Sequence, residues 1–489
     1  MLVACSLLAF GLCLTGSFHF DDYSLFSDPV VTSSSGWWEV FGLERTRPLT
    51  YLTFWLNFVL GEQNPVGYHL VNLLLHLGCV ALAWDTLRRL IPSQAALVAA
   101  GLFALHPIQA EPVNYVFARA TVLMSLLCLL AFRSWVLGRY WISVGWFAAA
   151  LLAKEECVSF PFVLLLFGLP VARRSRRLLA IAAMLVLALA AGLHVLFATR
   201  HVVGAGFRTS VSPWEYFVTQ GAVILRYARL VLIPWGFTID PEIRVPAWQG
   251  WIGWFLILLI VAVSIRRFRS TGVWIVAGLI LLLPSSSFFP AADLAADRRM
   301  YLPLLAFGAA LGLLAQKWRK ELLVGAAAVL IVLSVLRTEV WRTERALWSE
   351  AVERSPGKIR PKLQLARVSS PEESVSLLED AKRLAPNDAA VASQMGSAWL
   401  AMGKPERALS EFGRALALAP RDPAALNNRG VALALLGQSD AARQDFRRAL
   451  KIDPCLFDAR LNLTKLGVRE LLPGTCRYTA EQLRQLKSQ

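Results

Sequence analysis

The chain has 489 residues, 56% hydrophobic and 17% charged, with a mean hydropathy of +0.51; it is too apolar for an ordinary soluble protein and points to many membrane spans. The net charge of +16 is spread out, with 26 Lys/Arg against 17 Asp/Glu before residue 341 and 24 against 17 after, so it marks no single nucleic-acid patch. None of the seven cysteines forms a CxxC pair, which leaves a zinc or redox site without support.

Residues 1–340 hold nearly all the long apolar runs. The opening run, Met1 to Gly16, lacks a basic start and a small-x-small cleavage site, and reads as a retained first span rather than a signal peptide. Directly after it stand Asp21 and Asp22. An ionised carboxylate is costly in hydrocarbon, so the pair lies at or beyond the membrane edge. Paired acids delivered there suit general-base or cation-binding work, or simply mark a helix end. The loop 18–66 follows, rich in Trp and Tyr (Trp37, Trp38, Tyr51, Trp55), which suit headgroup depth. Within it Arg47 is placed either to grip a phosphate or to snorkel.

Further spans are expected at 67–87, 93–105 extending towards Val116, 120–137, 140–153, 157–171, 178–198, 250–265, 273–290, 301–316 and 321–337. The segment 214–233 carries Glu215, Arg226 and Arg229, and reads better as an interfacial helix than as a crossing. Eleven spans then put the basic clusters (Arg88-Arg89, Arg133 with Arg139, 173–177, 266–269, 317–320) on one side by the positive-inside rule. The other, extracytoplasmic side receives Asp21-Asp22, Glu111, Lys154-Glu155-Glu156, Asp297-Arg298-Arg299 and the tail. Every candidate chemical group thus falls on one face.

On the span at 67–87, His69, Asn72 and His76 recur at i, i+3 and i+7 and share a helix face, turned either to a wet cavity or to interhelical hydrogen bonds. His106-Pro107 ends the next span, and Glu111 beyond it is a second acid or a loop residue. Lys154 with Glu155 and Glu156 reads as snorkelling or as an ion pair. Arg298 and Arg299 beside Asp297 could grip a phosphate or anionic headgroups. Paired broken helices and internal symmetry, the marks of a transporter, are not evident.

Past residue 388 a 34-residue period emerges. Gly396, Trp399, Gly403, Ala408, Phe412, Ala415 and Pro420 are answered by Gly430, Leu433, Gly437, Ala442, Phe446, Ala449 and Pro454. That is the tetratricopeptide pattern, with small residues where helices cross and an aromatic wedge. Degenerate units precede it, and 457–466 reads as a cap. The concave groove near Gln394, Asn427 and Asn428 is expected to bind a protein partner, unless the stack is purely structural. Cys455 and Cys476, the tail's two cysteines, are either bridged or two independent thiols. The organisation expected is therefore all-α: a polytopic membrane domain at 1–338, repeats at 339–467, and a terminal segment at 468–489.

Taken in order, Phe20-Asp21-Asp22, Arg47-Pro48-Leu49-Thr50, Tyr68-His69-Leu70-Val71-Asn72, Leu75-His76, Phe103-Ala104-Leu105-His106-Pro107-Ile108, Glu111-Pro112-Val113, Ala118-Arg119-Ala120, Lys154-Glu155, Pro284-Ser285-Ser286-Ser287 and Arg299-Met300-Tyr301-Leu302-Pro303 form a set. The chain resembles, over essentially its whole length, the transmembrane and tetratricopeptide-repeat O-mannosyltransferases (the TMTC group) and their bacterial relatives, within the GT-C glycosyltransferases. It departs from them at Thr121, where an acid often follows the Arg-Ala pair. The resemblance implies a GT-C membrane fold and transfer of mannose or a similar hexose from a polyprenyl or dolichyl phosphate sugar to a hydroxyl acceptor, with inversion. No tightly bound cofactor is implied, and metal dependence stays open. Asp21 would be the general base, with Asp22 and Glu111 orienting acceptor and donor. Arg47, His69, His106, Lys154, Arg298 and Arg299 would hold the donor and its phosphate. The expected partners are membrane lipid, the lipid-linked sugar and an acceptor protein or peptide, with no nucleic acid. Arg outnumbers Lys 40 to 10, which favours a bacterial inner membrane. The competing reading is a non-catalytic membrane scaffold that presents its repeats to partners.

Overall fold

The computed structural model describes residues 1–488 apart from 168–173, 201–210, 244, 292, 474, 475, 477 and 479. Among them all regular structure is helical, as expected, and the chain divides into two units, Met1–Leu347 and Trp348–Gln489.

The longer helices of the first unit are α1 (Leu2–Phe10), α2 (Pro48–Gly61), α3 (Pro65–Leu87), α4 (Ser93–Leu105), α5 (Arg119–Val136), α6 (Tyr140–Ala153), α7 (Phe160–Leu166) and α8 (Arg174–Ala198). They continue with α9 (Pro213–Leu232), α10 (Ala247–Arg266), α11 (Val273–Leu282), α12 (Pro303–Leu314) and α13 (Lys320–Val340). By length and apolarity five described helices could cross a membrane: Pro65–Leu87, Val116–Val136, Ser175–Ala198, Ala247–Arg266 and Lys320–Val340. Two bent pairs raise the number to seven, and three apolar helices of 10–17 residues remain besides. Helix length alone does not fix the eleven spans expected, and part of the span at 157–171, like Arg173 of its basic cluster, lies outside the described residues.

Two helix pairs are sharply bent at short breaks. Leu2–Thr15 turns by 60° into Phe20–Ser27, and Ser93–Leu105 by 47° into Pro107–Asn114. Each break has a local cause. Gly16 to His19 is extended, and Pro107 has no N–H to continue the ladder, so His106 Nδ1 caps the next turn by accepting from Ile108 N at 3.1 Å. Both breaks deliver polar side chains to helix ends, where the candidate chemistry sits.

Helix α9 is not among the described helices that meet the span criteria. It packs so closely on α10 that a Cβ added at Gly221 would lie 2.2 Å from Gly250 O, and one at Gly250 would lie 2.3 Å from Val218 O. Glycines are required there because backbone meets backbone.

The second unit follows through α14 (Glu344–Arg354), whose sequence spans the division, to α15 (Ile359–Arg367), α16 (Pro371–Leu384), α17 (Ala389–Ala401), α18 (Pro405–Leu418), α19 (Pro423–Leu435), α20 (Ser439–Ile452), α21 (Phe457–Lys465) and α22 (Ala480–Ser488). Consecutive helices pair, and the aromatic wedge is explicit: Cβ atoms at Gly396 and Gly430 would approach the rings of Phe412 and Phe446 to 2.7 and 2.6 Å. Cys455 and Cys476 are joined by a disulfide with Cα atoms 5.2 Å apart, so the pair left open by the sequence is bridged. Gly474, read there as part of a breaker, lies outside the described residues.

Candidate functional site

Adjacent in sequence, Asp21 and Asp22 have opposite surroundings. Asp22 is fully buried, and both its oxygens accept backbone N–H bonds, from His19 at 2.9 Å and Phe117 at 2.7 Å. It therefore caps the short helix Phe20–Tyr23 and pins it to the turn Val116–Ala118. Asp21 is exposed, and its Oδ2 accepts from the Tyr115 hydroxyl at 2.9 Å. The Tyr115 ring lies between Phe20, with centroids 4.8 Å apart, and Trp341, stacked at 6.1 Å. Trp341 in turn gives its carbonyl to His19 Nε2 at 2.7 Å. One carboxylate builds the frame and the other is presented by it. Phe20, between them, holds φ at +23°, outside the regions a side chain prefers.

Four loops supply the remaining charges. Arg47, at φ +60° before Pro48, grips Glu155 with Nε and Nη2. Burial opposes ionisation of Glu155, but the guanidinium holds its carboxyl down at about 2. Lys154 is buried, paired with Glu156 at 2.8 Å and donating to Thr121 Oγ1 at 2.9 Å. Burial lowers its ammonium pKa, and the nearby charges of Arg47 and Arg298 push the same way against Glu156. Arg298 spans Glu111, through its backbone N at 3.0 Å and its guanidinium, and Asp293 at 3.0 Å. Arg226 of α9 pairs with Asp297 at 2.9 Å. Arg299 differs: its bonds run to the Tyr216 hydroxyl and the carbonyls of Asp293 and Leu294, with no carboxylate partner among the described residues. The fields of Arg47 and Arg298 both reach Lys154, and that of Glu156 reaches Arg299, so Arg47, Glu111, Lys154, Arg298 and Arg299 share one electrostatic neighbourhood.

Three of the expected site residues are enclosed. His69 is buried, packed so that a Cβ on Gly16 would come within 3.3 Å of it. His106 is buried and occupied as a cap, its other nitrogen 3.3 Å from Val231 O. Neither ring is accessible to a phosphate. Asp22 is likewise enclosed, with a backbone N–H on each oxygen. The stripe on α3 follows the interhelical alternative, with Asn72 donating to Tyr115 O at 3.1 Å and His76 Nδ1 2.8 Å from the Tyr301 hydroxyl.

Two residues escaped the sequence reading. Tyr115 sits 94 positions from the acid it holds, and no spacing rule links them. Arg119, quoted only as part of a motif, is fully buried and bound by Asn72 Oδ1 at 2.8 Å, Tyr68 O at 2.9 Å and Thr53 at 3.2 Å, with the Phe54 ring 4.6 Å away. It ties α2, α3 and α5 together. The only signal available was a cation at the start of an apolar run.

A family model described as a tetratricopeptide repeat matches residues 394–454. Among curated proteins the chain is similar to protein O-mannosyl-transferases of the TMTC family. Drosophila melanogaster Tmtc1 is 40% identical over 131 residues, covering 25% of this chain and 15% of its own length. Human TMTC4 is 27% identical over 399 residues, 63% of this chain and 53% of its own, and human TMTC1 36% over 152 residues, 28% and 17%. The matches thus span about half of these relatives' length or less. A solved tetratricopeptide-repeat protein of Thermus thermophilus is 16% identical, covers 43% of this chain and 98% of its own, and has a TM-score of 0.24, which carries no argument.

Proposed function

We propose that the chain is a multi-pass membrane glycosyltransferase of GT-C type. It moves mannose or a similar hexose from a polyprenyl or dolichyl phosphate donor to a hydroxyl on a protein, with inversion, outside the cytoplasm of a bacterial inner membrane. The names of the curated relatives support sugar transfer to protein. The observation that carries the mechanism is the exposed carboxylate of Asp21, oriented by Tyr115.

In this reading Asp21 accepts the proton of the acceptor hydroxyl as its oxygen bonds to the anomeric carbon. The bond from that carbon to the donor phosphate breaks on the opposite side, and the lipid phosphate leaves as an anion. Arg299, whose bonds run to a hydroxyl and two carbonyls, meets that charge. Arg47, Lys154 and Arg298 are held in orientation by their acids until phosphate oxygens replace them. Glu111 fixes Arg298 at both backbone and side chain, which makes it a positioning residue. The disulfide fits an oxidising compartment and so an extracytoplasmic tail.

Mass spectrometry of glycans on extracytoplasmic proteins, with the gene intact, deleted, and carrying Asp21→Asn, tests the reading. Hexose on Ser or Thr should vanish in the last two. Unchanged glycans in both would leave the scaffold reading standing.

A further inference from the structure

Asp21 is reached through a strained residue. Phe20, directly before it, holds φ at +23°, and a side chain keeps such a backbone only where its surroundings impose it. No helical ladder does so from the preceding side, because the chain from Gly16 to His19 is extended.

The brace comes from 324 positions away. Helix α13 lies beside α1, with Thr338 Oγ1 donating to Ala9 O at 3.4 Å. Just beyond α13, residues 341–344 meet residues 17–20. Ser17 N donates to Arg342 O at 3.0 Å, His19 Nε2 lies 2.7 Å from Trp341 O, and Phe20 N donates to Glu344 Oε1 at 3.2 Å.

These three ties are not equivalent. The first two use backbone carbonyls, which any residue at 341 or 342 would supply. The third uses a side chain, so it depends on the glutamate that opens α14. Nor do the other holds on this helix duplicate it. Tyr115 fixes the Asp21 carboxylate at Oδ2, and Asp22 pins the helix downstream through Phe117 N. Both act beyond the Asp21 Cα, whereas Glu344 acts on the residue that leads into it.

We propose that Glu344 is a positioning residue for Asp21. Its carboxylate holds the Phe20 N–H, and with it the backbone turn from which the Asp21 side chain projects. This role rests on the reading of Asp21 as the general base. Glu344 itself takes no proton; an oxygen that accepts one N–H is all the role requires. Without that bond Phe20 relaxes towards negative φ and swings the Asp21 carboxylate off the acceptor hydroxyl. A general base works within about 2.6–3.2 Å of the atom it deprotonates, so a displacement of about 1 Å is enough to lose the contact. Substrate affinity, in which Glu344 has no part, is left as it was.

Three substitutions separate reach from charge. Glu344→Ala removes the acceptor, and Glu344→Gln keeps an oxygen in place without the charge. Glu344→Asp keeps the charge but draws it back by about 1.5 Å, one C–C bond. The full-length chain in nanodiscs is assayed with tritiated polyprenyl phosphate mannose and a Ser/Thr peptide as acceptor. kcat should fall about tenfold in Glu344→Ala and at least about threefold in Glu344→Asp, with KM for donor and peptide within about twofold and melting close to wild type. Glu344→Gln should stay within about twofold of wild type. Hydrogen–deuterium exchange of the segment 17–23, which needs no substrate, should quicken at least about threefold in the Ala and Asp variants but not in Glu344→Gln or Asp21→Asn.

The reverse order, with Glu344→Asp active and Glu344→Gln inactive, overturns the proposal in favour of a charge effect. So does wild-type kcat in Glu344→Ala, or a change confined to KM. Should Glu344→Ala fail to fold, the Asp and Gln variants decide. A wild type inactive on this donor is judged by exchange, equal rates in wild type and variants overturning the brace. Full transfer by Asp21→Asn removes the base, and the role of Glu344 with it. Loss in Asp21→Asn beside full activity in Glu344→Ala removes the positioning role alone.

Discussion

In the membrane unit, several polar side chains are sealed in together with partners. Arg119 is fully buried among Asn72, Tyr68 and Thr53, and His76 meets Tyr301. In the repeat unit, Gln394, Asn428 and Asn462 are only partly buried, and the two asparagines share bonds with Asn427 at 3.1 and 3.0 Å. The difference follows from the surroundings. An apolar solvent offers no hydrogen bonds, so a polar group there must find its partner within the protein. A water-facing solenoid can leave amides open at little cost. Within the candidate site Asp21 is the exception, exposed and held at one oxygen.

The largest expected effect falls on that exception. Asp21→Asn should lower transfer by about 10²–10⁴ while thermal melting stays unchanged, because an amide cannot take the proton. Activity within about tenfold of wild type would return Asp21 to the frame. Arg119→Leu strips the donors from Asn72, Tyr68 and Thr53 and should destabilise the membrane unit by on the order of 3 kcal/mol in detergent melts. A neutral result would break the sealed-polar account.

For the repeat unit, Cys455→Ser opens the loop closed across 21 positions and should cost about 3 kcal/mol. Complete alkylation of both thiols in non-reduced native protein would deny the bridge outright. Tyr115→Phe removes one hydrogen bond to an anion and keeps the ring against Phe20 and Trp341; transfer should drop roughly tenfold at unchanged melting. Asn428→Ala should move the melting free energy of the repeat unit by less than about 0.5 kcal/mol, as a half-exposed side chain outside the packing does. A large loss there would show that the bond from Asn427 helps hold the repeats together.

How much was legible in the sequence differs between the units for the same physical reason. The repeat period is a local pattern: Gly396 and Gly430 are small because Phe412 and Phe446 of the next helix press on them, and that contact recurs every 34 residues. The spans were legible as apolar runs, although their breaks at Gly16 and Pro107 were not read as bends. The site was legible as a set of residue types on one face. What each does was not, because helices far apart in sequence decide it.

Composition, periodicity and order by themselves determined an all-helical chain with a membrane part and a tetratricopeptide part, the acids after the first span, and the repeat register. Only the tertiary structure decided which of two adjacent aspartates is free, that Tyr115 holds it, that His69 and His106 are enclosed, and that Arg299 lacks a carboxylate partner among the described residues. Periodicity records contacts between neighbours in sequence. Burial and pairing arise where the turn at 116–118 and Trp341 close on the first loop and the loop at 293–299 closes on Glu111, and no spacing in a linear sequence encodes those meetings.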